Sequence, residues 1–147
     1  MNSEIKELLE GVKNGTVSVD QALLELKKEP FKDLGFAKVD FHRKIRQGTS
    51  EVIYGEGKTS EQIIKIVQAM QDQGTKTILI TRLSKQKAEE INKTIQIDYK
   101  ENARLAIAGK IPEPDGNGTI VVATGGTSDM PVAEEAAFTA EVLGNKV

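Results

Sequence analysis

The chain has 147 residues, 38% of them hydrophobic and 29% charged, with a formal net charge of −2. That is enough for one domain with a true core, or for one domain plus part of another, and it argues against disorder. The charges are well mixed and there are no Trp, two Tyr and four Phe, so neither a basic footprint for duplex nucleic acid nor a base-stacking platform is present. There is no cysteine, which excludes disulfides, thiolate metal sites and cysteine nucleophiles within these residues.

The N-terminus runs directly into an amphipathic pattern and has no leader signature. Ile5, Leu8, Leu9 and Val12 recur at i, i+3, i+4 and i+7, predicting a first helix that Asn14-Gly15 ends. Ser18-Val19-Asp20-Gln21 is a capping-box pattern ahead of Ala22, Leu23 and Leu26. Residues 1–30 are therefore expected to form a helical hairpin, too small to stand alone and suited to packing or oligomerisation.

From Phe36 the period changes to two: Ala37, Val39 and Phe41 alternate with Lys38, Asp40 and His42. Val52-Ile53-Tyr54 predicts a second strand. Thr59-Ser60-Glu61-Gln62 opens a helix through Ile63, Ile64, Val67 and Met70 that stops at Gly74. A strand over Lys76 to Thr81, a helix from Ser84, and alternating runs at Ile95, Ile97, Tyr99 and at Ala103, Leu105, Ile107 follow. Strand-helix-strand-helix-strand is an α/β order that carries a parallel pair, and it defines an α/β domain over residues 31–110. The turn-rich stretch Gly109 to Gly118 is the expected boundary. Beyond it, Thr119-Ile120-Val121-Val122-Ala123 has the unbroken apolar character of a parallel strand buried on both faces, followed by a loop and a helix from about Pro131 to Leu143. Residues 119–147 are thus expected to be one βα unit of a further domain whose remaining units are absent.

The loop Thr124-Gly125-Gly126-Thr127-Ser128-Asp129 is the most informative stretch. A turn from strand to helix brings backbone N–H groups and the positive helix pole to the carboxyl edge of a sheet, where α/β folds bind ligands. Two glycines allow close backbone approach by a phosphate, and Thr127 and Ser128 add hydroxyls. Asp129 suits a ribose hydroxyl, a cationic ring or a proton transfer better than a phosphate. A plain capped turn is the alternative. Gly55-Glu56-Gly57-Lys58-Thr59 fails the phosphate-loop spacing, because Val52 stands where the first glycine is needed; it reads as a turn capped by Thr59, with Lys58 free to meet an anion as a point charge. Arg43 and Arg46 could grip a phosphate or carboxylate bidentately, and Asp40 with His42 could form a carboxylate–imidazole pair; a solvated charged face is the competing account. No His/Asp/Glu spacing matches a transition-metal site.

Two stretches carry a resemblance. Asp40-Phe41-His42-Arg43-Lys44-Ile45-Arg46 running on to Tyr54-Gly55-Glu56-Gly57-Lys58, and Ala123-Thr124-Gly125-Gly126-Thr127-Ser128-Asp129-Met130-Pro131 running on to Ala136, resemble the LarB family of nickel-pincer cofactor biosynthesis. The loop alone also resembles PurE, the aminoimidazole ribonucleotide carboxylase/mutase. The LarB resemblance implies an α/β protein in which residues 119–147 begin a PurE-like three-layer parallel-sheet domain. It implies a carboxylase/hydrolase that takes nicotinic acid adenine dinucleotide and CO2 or bicarbonate to pyridinium-3,5-biscarboxylic acid mononucleotide and AMP. In that frame Ser128 and Asp129 are the catalytic candidates, and Thr124, Gly125, Gly126 and Thr127, with Arg43, Arg46 and Lys58, are the nucleotide-binding candidates. No cofactor is required in this stretch, and a magnesium ion bridging phosphates stays open. Full-length family members form octamers, so a cytoplasmic homo-oligomer with no nucleic acid or membrane partner is implied. They are longer and use a cysteine that this chain lacks, so no turnover is expected of the 147 residues alone. A PurE-type enzyme and a non-catalytic nucleotide-binding or oligomerisation domain are the alternatives.

Overall fold

The computed structural model describes residues 2–28, 31–33, 35, 38–40 and 52–147. The chain opens with α1 (Asn2–Lys13) and α2 (Val19–Lys28). Gly15 turns the chain at φ 74°, and Ser18 and Gln21 satisfy each other's backbone donors: Gln21 N–H donates to Ser18 Oγ and Ser18 N–H to Gln21 Oε1, each at 3.1 Å. Ala22 is buried against α1, but Leu9, Leu23 and Leu24 stay about half exposed. Of the expected stripe residues, Leu8, Val12 and Leu26 are partly buried, while Leu9 and Leu23 remain exposed. A short antiparallel ribbon of β1 (Phe31–Asp33) and β2 (Lys38–Asp40) follows, of which only the second strand is expected from the alternation.

The body is a four-stranded mixed sheet in the order β3-β4-β6-β5, built from β3 (Val52–Tyr54), β4 (Thr77–Thr81), β5 (Asp98–Lys100) and β6 (Leu105–Gly109). β3 and β4 are the parallel pair, with Ile53 opposite Ile80, while β6 runs antiparallel to both β4 and β5. The connection between the parallel strands is α3 (Ser60–Asp72). It starts where Thr59 accepts from Gln62 N–H at 3.2 Å and Gln62 Oε1 accepts from Thr59 N–H at 3.0 Å. It ends at Gly74, φ 84°, where Gly74 N–H donates to Gln71 O and Thr75 N–H to Met70 O. Ile63, Ile66, Val67 and Met70, at i, i+3, i+4 and i+7, form its buried stripe. Thr59→Ala removes the capping acceptor and is expected to cost about 1 kcal/mol in chemical denaturation, without changing the far-ultraviolet spectrum of the folded protein.

A second helix, α4 (Lys85–Asn92), capped by Ser84, lies beside α3, and the two cover one face of the sheet through Ile78, Ile80, Ala106 and Ala108. The opposite face carries Leu79, Ala103, Leu105 and Ile107, and it is covered by α5 (Met130–Val142) through Phe138 and Val142. The central strands are therefore buried on both sides. That explains why Leu105 to Ala108 are all within 1% of full burial although alternation predicts a half-buried strand.

The stretch from residue 119 to 123 departs from expectation. It forms no strand: Thr119 makes one parallel bridge to Lys146, with Ile120 N–H donating to Lys146 O at 2.8 Å, and Val121 is 84% exposed. An apolar run becomes a strand only when a neighbour takes its backbone groups, and none of the four strands of the sheet pairs with it. The helix predicted after it does form, but it packs on the preceding domain's sheet rather than on a sheet of its own.

Candidate functional site

The segment before α5 makes the expected sharp turn. Gly126 is extended (φ −162°, ψ 160°), and Thr127–Asp129 form a single tight turn in which Asp129 N–H donates to Gly126 O at 3.2 Å and Met130 N–H donates to Thr127 O. Thr124 Oγ1 donates to Gly126 O at 3.4 Å, and Pro131 occupies the first turn of the helix, where its missing donor costs nothing. The N–H groups of Gly125, Gly126, Thr127 and Ser128 have no hydrogen-bond acceptor among the described residues. All of these residues are exposed, and Asp129 makes no side-chain capping bond. Unpaired amides ahead of a helical positive pole are the elements from which anion sites are made.

The two glycines are informative because the fold itself does not demand them. Neither has positive φ. A β-carbon at Gly125 would meet nothing within 4 Å, and one at Gly126 only Ser128 Oγ at 3.8 Å. Contrast Gly55, where a β-carbon would sit 2.9 Å from Thr81 O while its own N–H donates to that oxygen at 2.8 Å. Gly55 is required by close strand packing. Gly125 and Gly126 instead leave bare backbone facing solvent.

Polar contacts set where this loop sits. Arg82, directly after β4, holds a left-handed conformation (φ 54°) that is costly for a long side chain, and its guanidinium lies 3.4 Å from Glu135 of α5. Asn102 Nδ2 donates to Glu134 Oε1 at 3.4 Å, and Lys100 Nζ stands 5.1 Å from the Phe138 ring centroid. Arg82 and Asn102 mark the end of the sheet where β4 finishes, so α5 runs from that edge back across the face. Its first residue lies roughly 7 Å further out along the axis than Glu135. The Gly125–Asp129 turn thus projects past the carboxyl edge of the parallel pair. No sequence signal marks Arg82 or Glu135 for this role, since neither a positive φ at arginine nor a contact spanning fifty residues is written in local pattern.

The turn after β3 lies at the same edge. Lys58 Nζ donates to Tyr54 O at 3.1 Å, and Lys87 Nζ donates to Gly55 O and Glu56 O, each at 3.1 Å. The Tyr54 hydroxyl donates to Glu56; that hydrogen bond to a carboxylate holds the phenol above its usual pKa. Lys58 is thus folded back on the carbonyl that ends β3. Asp40 closes β2, whereas His42, Arg43, Arg46 and Glu51 fall outside the described residues. Among the described residues no group of three His, Cys, Asp or Glu side chains is gathered as metal ligands would be.

Residues 31–110, which span the β-ribbon and the four-stranded sheet, match the family described as the LarB/PurE-like N-terminal domain. The chain belongs to the LarB/PurE-like family. This is a carboxylase-type family with an α/β fold, in keeping with the mixed sheet between helical layers. A relative in Methanocaldococcus jannaschii, the uncharacterized protein MJ0165, is 33% identical over 151 residues covering 98% of this chain. The chain spans about 59% of that relative's length. The LarB/PurE-like match ends before the Gly125–Asp129 turn, whereas the similarity to the archaeal relative runs through it. No helix among the described residues is long and apolar enough to cross a membrane.

Proposed function

We propose that this chain is the N-terminal part of a cytoplasmic, homo-oligomeric carboxylase/hydrolase acting on nicotinic acid adenine dinucleotide. In the reaction CO2 forms a new carbon–carbon bond to the pyridinium ring, the ring proton at that carbon is lost, and water cleaves the phosphoanhydride. The products are pyridinium-3,5-biscarboxylic acid mononucleotide and AMP. The observation that carries this reading is the set of four unpaired amides on a glycine turn at the carboxyl edge of the parallel strands.

In this reading the N–H groups of Gly125 to Ser128 bind the ribose-phosphate end, with the Thr127 and Ser128 hydroxyls as further donors. Asp129, as an acceptor, takes a ribose hydroxyl or a proton released nearby. Arg43, Arg46 and Lys58 are further anion contacts, the last requiring its ammonium to swing from Tyr54 O. The 147 residues contain no thiol, so binding without product formation is the expectation for this chain alone.

Amide NMR during titration with nicotinic acid adenine dinucleotide, and separately with AMP, tests this. Shifts concentrated at Gly125 to Ser128 are expected. Gly126→Val should weaken binding by about tenfold or more, because its side chain stands where the anion approaches, while leaving stability unchanged in an extended backbone with open space around it. Unchanged affinity in Gly126→Val, or shifts confined to other regions, would overturn the assignment.

A further inference from the structure

Strand alternation decides which side of the sheet Tyr54 occupies. Ile53 pairs with Ile80 and joins the cluster beneath α3 and α4, whereas Val52 pairs with Leu79, which lies beneath α5. Tyr54, two residues from Val52 and paired with Thr81, therefore lies on the α5 side at the carboxyl edge. The sheet order makes β3 an edge strand, and Tyr54 stays 52% exposed.

Arg82 adjoins this residue. It follows Thr81, the partner of Tyr54, and neighbouring strands lie about 4.8 Å apart. Arg82 and Glu135 both act on the Tyr54 hydroxyl at Coulombic range. Glu135 engages one guanidinium nitrogen at 3.4 Å, yet the Arg82 side chain is 46% exposed and has five N–H donors to place. Its left-handed backbone, φ 54°, is a local cost of the kind that collects at functional sites.

The two side chains offer different chemistry side by side. A phenol that donates to a carboxylate, as Tyr54 does to Glu56, has an electron-rich ring whose face attracts a cation. Arg82 presents a planar fork that matches a carboxylate. A flat cation bearing a carboxylate is complementary to both. A purine, uncharged and without a carboxylate, is complementary to neither. The glycine turn supplies a third contact, since Ser128 precedes Glu135 by seven residues, roughly 10 Å along the α5 axis.

We infer that Tyr54 and Arg82 form the ring subsite for a pyridinium carboxylate, Tyr54 facing the cationic ring and Arg82 taking its carboxylate. The inference rests on the reading of the Gly125–Asp129 turn as the phosphate site. It makes Arg82 the residue that tells the acid from the corresponding amide.

Nicotinic acid mononucleotide, nicotinamide mononucleotide and AMP, titrated separately into the unaltered chain, test this by NMR of the tyrosine rings. The chain has two tyrosines, and Tyr99, whose hydroxyl donates to Leu83 O, is the internal reference. The acid is expected to shift the Tyr54 ring resonances, to leave those of Tyr99 in place, and to bind about tenfold more tightly than the amide. Arg82→Asn suits the left-handed backbone and should make acid and amide bind equally. Tyr54→Leu keeps an apolar cover and should weaken the acid about fivefold without changing AMP. Equal affinity for acid and amide in the unaltered chain, or Tyr54 resonances that do not move with the acid, would overturn the inference. Gly126→Val separates the two readings. Weaker binding of AMP and of the acid alike, with the acid-over-amide ratio intact, supports both. Unchanged affinity in Gly126→Val, with the acid preference still lost in Arg82→Asn, refutes the phosphate turn and leaves the ring subsite.

Discussion

Replacing Gly109 by alanine is expected to cost about 4 kcal/mol of stability, near the upper end for a single substitution. Two effects add at this residue. Its φ is +96°, a conformation that L side chains rarely adopt, and a β-carbon would stand 1.9 Å from the carbonyl oxygen of Lys76. That carbonyl is backbone at the start of β4, in the Thr77–Gly109 register of the central β4–β6 pair, so it cannot rotate away as a side chain could. Relief requires the end of the sheet to open. Gly74→Ala is the internal comparison, since Gly74 also has positive φ (84°) but nothing within 4 Å of a β-carbon. It reports the conformational cost alone, about 1 kcal/mol. Urea denaturation of both variants separates the two contributions. Equal losses would mean that the β4–β6 approach is not as close as the structure has it.

The second large effect concerns the face of the sheet beneath α5. Leu105→Ala is expected to cost about 3 kcal/mol, since Leu105 is fully buried in the cluster of Leu79, Ala103 and Ile107. Phe138→Ala, on the helix side of the same contact, is expected to cost about 2 kcal/mol, less than a fully buried phenylalanine because the ring is only partly covered. The two losses should not add. Each residue's contribution depends on the other, so the double variant is expected to fall short of the sum by about 1 kcal/mol. If Phe138→Ala leaves the denaturation midpoint unchanged while Leu105→Ala lowers it, α5 is not docked on this sheet, and the placement of the Gly125–Asp129 turn at the carboxyl edge fails with it.

Local pattern carried the elements a long way. The capping boxes at Ser18 and Thr59, the stop at Gly74, the strands at Val52 and Ile78, and the turn at Gly125 are short-range chemistry, each decided by residues within a few positions of one another. The parallel β3–β4 pair follows from strand-helix-strand order. The failure at residues 119–123 has the opposite origin. Four consecutive apolar residues, Ile120 to Ala123, specify a preference for an extended, two-sided buried environment, but a strand exists only when another strand answers its amides and carbonyls.

The site divides in the same way. Its unpaired amides, its glycines and its helix start are properties of six consecutive residues and could be read directly. Its position could not. That α5 crosses the β4 edge, held by Arg82 to Glu135 and by Phe138 on the Leu105 face, depends on residues some fifty and thirty positions apart in the chain. What the amino-acid order determined by itself was the α/β class, the helix limits and the sharp glycine turn, because capping, periodicity and glycine freedom act over one or two helical turns. What only the tertiary structure decided was which sheet the last helix covers, and that two leucines of the hairpin face outward, because burial is a competition among all surfaces of the molecule for the same apolar contacts.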